Sequence, residues 1–119
     1  MSTAAETDLS AEIARACASF SPRRASVEDV ASRLGLSRRG LHDRCRRLLG
    51  QSARAAIDAW LLSQAQQLLR YSEGSLEQIA ADLGFADGFA FSRFFRRHSG
   101  GPAPGRWRRL QRSSPRDPR

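Results

Sequence analysis

The chain contains an internal repeat, and this repeat constrains the fold more than any other feature of the sequence. The stretch VEDVASRLG at residues 27–35 aligns with LEQIAADLG at residues 76–84, at an offset of 49 residues. Beyond the shared glycine the offset becomes 50, so that Cys45 aligns with Phe95 and Gly50 aligns with Gly100. The sequence therefore predicts one structural unit that occurs twice.

Each copy predicts a short helix, a turn at a glycine and a second helix that carries arginines. The apolar residues of the first segment recur at spacings of three and four, which is typical of a helix with one buried face. A small alanine lets the two helices cross closely, and the glycine lets the chain turn sharply between them. The second helix then presents its N-terminal polar residues outward, as in helix-turn-helix units that enter a DNA groove. One such match is common in helical hairpins, but two matches at a fixed offset favour DNA binding.

The fold class predicted from these patterns is all-α, with two helix-turn-helix subdomains joined by a long linker helix. Capping residues, glycines and apolar spacing predict seven helices, at residues 10–20, 27–34, 38–49, 52–71, 76–83, 88–98 and 105–110. The predicted organisation is an N-terminal tail at 1–9, a first subdomain at 10–50, the linker at 51–72, a second subdomain at 73–111 and a basic disordered tail at 112–119. A twenty-residue linker helix spans about 30 Å. This is close to one turn of duplex, about 34 Å, so one monomer would reach two adjacent groove segments.

The positive charge is concentrated in two clusters. All 20 basic residues are arginines, and the net charge is +8. Nine arginines and one aspartate lie between residue 93 and the C-terminus, and six arginines and one aspartate lie between residues 38 and 54. Two such clusters favour a polyanionic partner. An anionic membrane surface would attract them as well, so the charge alone leaves that alternative open.

Neither an enzyme nor a cofactor or metal site is predicted. Cys17 and Cys45 lie among apolar helical positions, without other Cys or His at metal-ligand spacing, which favours small core residues in a reducing cytoplasm. His42 stands three residues before Cys45, but the cysteine falls on the apolar stripe and the histidine faces outward. No set of nucleophile, base and orienting group converges. The sequence has no signal-peptide pattern and no apolar run near 18 residues, so we expect a cytoplasmic protein associated with the nucleoid and no membrane partner.

From about residue 26 to residue 109 the chain resembles the DNA-binding domain of the AraC/XylS family of bacterial transcription regulators. The motifs that carry the resemblance are IAADLGF at 79–85, FSRFFRR at 91–97, AQQLL at 65–69 and PGRWR at 104–108. The resemblance implies seven helices with two helix-turn-helix units, and a regulator that mostly activates transcription. It implies promoter or operator DNA as a partner, and contact with RNA polymerase. Family members commonly carry a separate sensing domain, and the sequence leaves open whether this regulator is free-standing or part of a longer one.

Some positions depart from the family pattern. Cys45 replaces an aromatic residue, which predicts a smaller first core. Asp43 stands where arginine is frequent in the family. The helices predicted to enter the DNA, here called the first (38–49) and second (88–98) reading helix, differ as well. The second begins with the apolar GFA at 88–90, where polar residues are common. These departures predict a less stable first unit and fewer polar contacts to bases from the second.

Two groups of side chains are predicted to contact DNA. The base-reading group consists of Arg39, His42, Asp43, Phe89 and Arg93. The phosphate-holding group consists of Ser37, Arg38, Arg46, Arg47, Ser75, Arg96 and Arg97. Arg39 and His42 project from the first turns of the first reading helix, and Arg93 is the main reader of the second.

Alternatives remain for two of these residues and for the function as a whole. Asp43 would accept a hydrogen bond from cytosine, but helical spacing favours an ion pair with Arg39 or Arg47 instead. Phe89 would contact a thymine methyl, or pack under the start of its own helix. The alternative function is a basic helical module that binds proteins or a membrane surface without sequence-specific DNA binding. RNA binding is disfavoured, because the sequence lacks the sheet platform of common RNA-binding modules.

Overall fold

The computed structural model describes residues 3–113, and this part of the chain contains helices and no strand. The seven helices are α1 (Ala4–Ser19), α2 (Val27–Arg33), α3 (Arg38–Leu49), α4 (Ala53–Tyr71), α5 (Leu76–Asp82), α6 (Gly88–Ser99) and α7 (Pro104–Ser113). The predicted all-α fold is confirmed. Most helices begin and end within one residue of their predicted bounds.

The two terminal helices are longer than predicted. α1 begins at Ala4 because Thr3 and Glu6 form a capping box. The Thr3 hydroxyl accepts a hydrogen bond from the Glu6 N–H at 3.1 Å, and the Glu6 carboxylate accepts one from the Thr3 N–H at 2.6 Å. The prediction of a loose tail is therefore wrong for residues 4–9. α7 continues to Ser113, so residues 112 and 113 of the predicted tail are helical, and residues 114–119 lie outside the described residues.

The repeat seen in the sequence is also present in the backbone. Gly35 and Gly84, which end the first helix of each copy, have φ of 72° and 87°, a conformation that glycine adopts without a steric penalty. In each copy the residue after this glycine donates its N–H to the carbonyl of the small alanine, at 2.8 Å for Ala31 and 2.9 Å for Ala80. Four residues separate α2 from α3, and five separate α5 from α6. The additional residue that changes the repeat offset from 49 to 50 therefore lies in the turn between α5 and α6.

The chain divides into two compact units, unit 1 (Met1–Leu61) and unit 2 (Leu62–Arg119), and the division falls inside α4. In unit 1, α1 packs against both α2 and α3. The core of unit 1 is aliphatic, with two thiols, and consists of Leu9, Ile13, Ala16, Cys17, Ala25, Val27, Val30, Ala31, Leu41, Cys45, Ala53, Ala56 and Ile57.

Both cysteines are free thiols buried in unit 1, as predicted from their apolar neighbours. Burial raises the pKa of Cys17 to about 11, although the positive charge of Arg54 acts in the opposite direction. Burial also raises the pKa of Cys45. Both thiols are therefore protonated at neutral pH, and this form is a poor nucleophile.

Unit 2 has an aromatic core. Phe91 and Phe95 of α6 are fully buried, with ring centroids 6.1 Å apart. Trp107 of α7 meets Phe95 edge-on at 5.6 Å, and the Phe85 ring lies 5.5 Å from that of Phe91. α4 contributes the buried Ala65 to unit 2. Between residues 3 and 113, no helix is both long and apolar enough to cross a bilayer.

Candidate nucleic-acid interface

The first reading helix, α3, begins at Arg38 because Ser37 caps it. The Ser37 hydroxyl accepts a hydrogen bond from the Gly40 N–H at 2.9 Å. Leu41 and Cys45 are fully buried and anchor the inner face of α3. The opposite face carries predicted contact residues, of which His42 is half-buried and Arg38, Arg39, Asp43, Arg46 and Arg47 are exposed.

A depression of about 820 Å³ opens beside the first turns of α3. Its lining residues are Val27, Arg38, Arg39, His42, Asp43, Ser52, Ala53 and Arg54. The structure therefore brings together three predicted base readers and one predicted phosphate ligand. The depression is also lined by Arg54 of α4, which was not among the predicted contact residues. Its signal in the sequence was its place in the arginine cluster of residues 38–54. Arg54 forms an ion pair with Asp58 at 3.0 Å, one helical turn further along α4.

The start of each reading helix is held by a glutamate from the preceding helix. In unit 1, the guanidinium of Arg38 forms an ion pair with Glu28 of α2, and both side chains are largely exposed. In unit 2, Glu77 of α5 accepts a hydrogen bond from the Gly88 N–H at 3.1 Å. Glu28 and Glu77 are equivalent in the repeat, and so are Arg38 and Gly88. A phosphate that binds Arg38 would share this arginine with Glu28.

The intrahelical ion pair that helical spacing favoured for Asp43 is not formed. Among residues 3–113, no ion pair joins Asp43 to Arg39 or Arg47, although each stands four residues away. That interpretation is therefore wrong for this structure. The Asp43 carboxylate instead lines the depression beside Arg39 and His42.

The second reading helix, α6, begins after Asp87, whose carboxylate accepts a hydrogen bond from the Ala90 N–H at 2.8 Å. Phe89 on the first turn is 71% exposed, so the alternative in which it packs under the helix start is wrong. The guanidinium carbon of Arg93 lies 5.5 Å from the centroid of the Phe89 ring. The two predicted base readers of unit 2 therefore contact each other. Arg96 and Arg97 are exposed in the last turn of α6.

Ser75 takes the position in unit 2 that Ser26 has in unit 1. Its hydroxyl caps α5 by accepting a hydrogen bond from the Gln78 N–H at 3.1 Å. The residue is exposed. The predicted N-cap is thus present, and the amide groups of the first turn of α5 lie at the protein surface near this serine.

Two arginines of the C-terminal cluster have a structural role that composition did not reveal. The Arg108 guanidinium donates hydrogen bonds to the carbonyls of Leu69, Ser72 and Gly74, at 3.0, 2.6 and 2.8 Å. Arg112 donates to the Ser72 carbonyl at 2.6 Å. A helix end leaves carbonyls without intrahelical partners, and no glycine directly follows α4 to turn the chain back over them. That missing glycine was the sequence signal for such a cap.

Two helix-turn-helix units, each with a basic and outward-facing second helix, define a DNA-binding domain of a transcription regulator. Residues 30–110, about two thirds of the chain, match a family described as a helix-turn-helix domain. The chain belongs to this family, in its AraC type, and the family consists of DNA-binding domains of transcription regulators rather than enzymes. The resemblance to AraC/XylS regulators seen in the sequence is confirmed.

Relatives and solved structures agree with this assignment. The chain is 39% identical over 75 residues to the transcriptional activator RhaS of Escherichia fergusonii, a match that covers 63% of this chain and 27% of that protein. It is 37% identical over 70 residues to RhaS of Klebsiella pneumoniae, covering 59% of this chain and 25% of that protein. The matches therefore span about a quarter of the length of these relatives.

Solved structures of DNA-binding regulators share the fold. The DNA-binding domain of AdpA, a global transcriptional factor crystallised with a target DNA, has a TM-score of 0.73 and 26% identity, over 97% of this chain and 100% of that one. An AraC-type regulator from Chromobacterium violaceum has a TM-score of 0.67 and 31% identity, over 93% of this chain and 90% of that one.

Proposed function

We propose that α3 and α6 enter two adjacent major-groove segments of one double-stranded operator and read its sequence. The observation that carries this proposal is the likeness of the two reading helices, α3 and α6. Each is capped at its start and buries an apolar face. Each exposes predicted base readers at equivalent positions of the repeat. A helix that is rigidly anchored on one side presents the other to base edges at a low cost in entropy. The AdpA domain, which was crystallised with a target DNA, supports the same mode here.

The side chains divide into two roles according to their place on the reading helices. Arg39, His42 and Asp43 near the start of α3, and Phe89 and Arg93 on α6, are the proposed base readers. The phosphate ligands are the charged or capping residues on either side of them, and they are Ser37, Arg38, Arg46, Arg47, Ser75, Arg96 and Arg97. Arginine forms bidentate bonds both to guanine edges and to phosphates, so position rather than residue type separates the two groups.

Selection from a random duplex library, followed by affinity measurements, tests this assignment. Arg39→Ala is expected to weaken binding to the selected site by about 1–3 kcal/mol and to relax base preference at one position, as is Arg93→Ala. Arg46→Ala is expected to weaken all duplexes alike and to lower the salt slope by about one. Arg15→Ala on the exposed face of α1 removes the same charge outside the reading helices and serves as the control. An equal loss on selected and random duplexes for Arg39→Ala would refute its role as a reader.

The alternative function, a protein-interaction or membrane-surface module, is not favoured, because such a module needs no helix-turn-helix repeat. Binding to random duplex at low salt distinguishes the two. A chain that failed to bind even at low ionic strength would not be a DNA-binding module.

The proposal also includes the partners of the whole regulator. We propose that it binds its operator as a monomer, because one chain already contains two reading helices. We further propose that it activates transcription on the nucleoid, within the cytoplasm, through contact with RNA polymerase, in line with the activators named RhaS. Sedimentation of the complex with a selected duplex measures the stoichiometry. Transcription in a purified system from a promoter carrying that site measures activation.

A further inference from the structure

Phe89 is an apolar side chain placed at the contact end of the second reading helix. Among the phenylalanines of the described residues only Phe89 is largely exposed, whereas Phe85, Phe91 and Phe95 are buried. Its ring stands on the first turn of α6, directly after the residue held by Glu77. A single exposed apolar side chain is common at protein surfaces. The position of this ring, on the first turn of the proposed reading helix and beside Arg93, is what points to a DNA contact.

Arg93 lies one helical turn after Phe89, and the ring positions its guanidinium. The guanidinium carbon is 5.5 Å from the ring centroid, within the range of a cation–π contact. Among residues 3–113, Arg93 has no other hydrogen bond or ion pair. The contact with the ring leaves all the N–H donors of Arg93 available to a partner.

The chemistry of this pair matches two neighbouring features of the major groove. Thymine presents a methyl group there, and guanine presents the O6 and N7 acceptors that an arginine binds in bidentate fashion. The separation of 5.5 Å between guanidinium and ring exceeds the rise of one base-pair step, about 3.4 Å, and falls short of two steps. Because helical twist also displaces successive base edges sideways, adjacent base pairs fit this separation.

We propose that Phe89 and Arg93 act as one reader of a T·A pair adjacent to a G·C pair. The Phe89 ring packs against the thymine methyl, and Arg93 donates to O6 and N7 of the neighbouring guanine. This inference rests on the proposed entry of α6 into the major groove, and it adds which bases unit 2 selects. The equivalent positions of unit 1 are Arg39 and Asp43, so the two units read different base pairs.

Removal of single atoms from the DNA tests the proposal. The full chain is used to select a duplex from a random library, and each thymine of that duplex is then replaced singly by deoxyuridine, which lacks only the methyl group. At one thymine the replacement is expected to weaken binding about fourfold, the equivalent of about 0.8 kcal/mol for one buried methyl. In Phe89→Ala this thymine-to-deoxyuridine ratio is expected to fall to one.

The guanine is tested in the same way with 7-deazaguanine, which lacks the N7 acceptor. The sensitive guanine is expected in the base pair next to the sensitive thymine, and its effect is expected to disappear in Arg93→Ala. Leu110→Ala on α7 is the matched control, because Leu110 is another exposed apolar side chain, 49% exposed and outside both reading helices. It is expected to retain the affinity and both ratios.

Three results would overturn the proposal: no thymine is sensitive, the deoxyuridine penalty persists in Phe89→Ala, or the sensitive guanine is not adjacent. Because Phe89 is exposed, the variant is expected to fold, and its circular dichroism spectrum is compared with that of the parent chain. Selection of no sequence at all would mean that the proposed function itself fails. A selected sequence that Arg39→Ala relaxes, but that shows no methyl sensitivity, would contradict this inference alone.

Discussion

The two reading helices share a backbone and differ in the chemistry of both faces. At equivalent outward positions α3 carries Arg39 and Asp43, whereas α6 carries Phe89 and Arg93. In both units a serine caps the first helix, a capping side chain precedes the reading helix, and the same N–H bond follows the central glycine. Backbone geometry therefore depends on a few cap, turn and core residues. The outward face is therefore able to differ between copies without a change of fold.

The inward faces differ as well. Cys45 in α3 and Phe95 in α6 are both fully buried at equivalent positions. Each reading helix is also covered by a different additional helix, α1 in unit 1 and α7 in unit 2. α1 adds aliphatic side chains such as Ile13 to the core that contains Cys45, and α7 brings Trp107 against the Phe95 ring. The smaller first core predicted from Cys45 is therefore supplemented by α1.

The largest expected difference between the units concerns these equivalent core positions. Phe95→Ala is expected to lower the free energy of unfolding by about 3–5 kcal/mol, because it removes a large ring and leaves a cavity. Cys45→Ala removes one sulfur atom and is expected to cost about 1 kcal/mol, similar to a methylene group. Urea denaturation of each variant measures both values. Equal losses at the two positions would contradict the view that unit 2 depends on its aromatic core.

The next effect separates structural arginines from surface arginines in the C-terminal cluster. Arg108→Ala is expected to destabilise the chain by about 2–3 kcal/mol, because one carbonyl in the last turn of α4 and two in the segment after it lose a charged donor. Arg106→Ala, an exposed neighbour on α7, is the control and is expected to change stability by less than about 0.5 kcal/mol. Thermal unfolding of the two variants side by side provides the measurement. Similar losses would mean that net charge matters here and the cap does not.

The smallest effect concerns the helix that precedes each reading helix. Asp29 completes the capping box of α2 with Ser26, whereas the equivalent residue of α5 is Gln78, which does not titrate. The pKa of Asp29 lies below its ordinary 3.8, chiefly because its carboxylate accepts the Ser26 N–H and also binds Arg23. A lowered folded-state pKa means that this stabilisation is present above pH 3.8 and is lost as the pH falls through the folded-state value.

Asp29→Asn is therefore expected to be less stable than the parent chain at neutral pH, and the difference is expected to shrink below pH 3.8. Gln78→Asn is the matched variant in unit 2, and the difference it causes is expected to be independent of pH. Denaturation curves recorded from about pH 2 to about pH 7, which includes the range in which carboxylates titrate, measure the stability difference for each variant. A constant difference for Asp29→Asn across that range would rule out the linkage.

Several features of the fold were predictable because they depend on residues close together in the chain. The N-caps Ser26, Ser37 and Ser75 each bond to an N–H three residues further on, so a local pattern identifies them. The Thr3 capping box has the same local character and was a signal present in the sequence. Together with the glycine turns and the apolar spacing, the serine N-caps predicted the seven helices and the repeat.

The sequence predicted where the candidate DNA-binding residues lie better than it predicted which side chains they contact. The sequence located the two reading helices and their outward residues, but helical spacing favoured an Asp43 ion pair that the structure does not contain. Spacing states which side chains are able to meet, whereas competition with solvent decides whether they do. The exposure of Phe89 was ambiguous for the same reason, since an apolar residue at a helix start fits both a core and a contact surface.

The sequence by itself determined the repeat, the helices and the family, since each depends on the order of residues within a few turns. Tertiary structure decided which partner each charged side chain contacts. Arg108 is separated from the carbonyls of residues 69–74 by more than thirty residues along the chain, and only folding brings them within hydrogen-bonding distance. It likewise places Arg38 against Glu28 and gathers Arg39, His42 and Arg54 around one depression. Electrostatic contacts form wherever the fold brings charges together, so their partners are a property of the folded chain and not of local sequence.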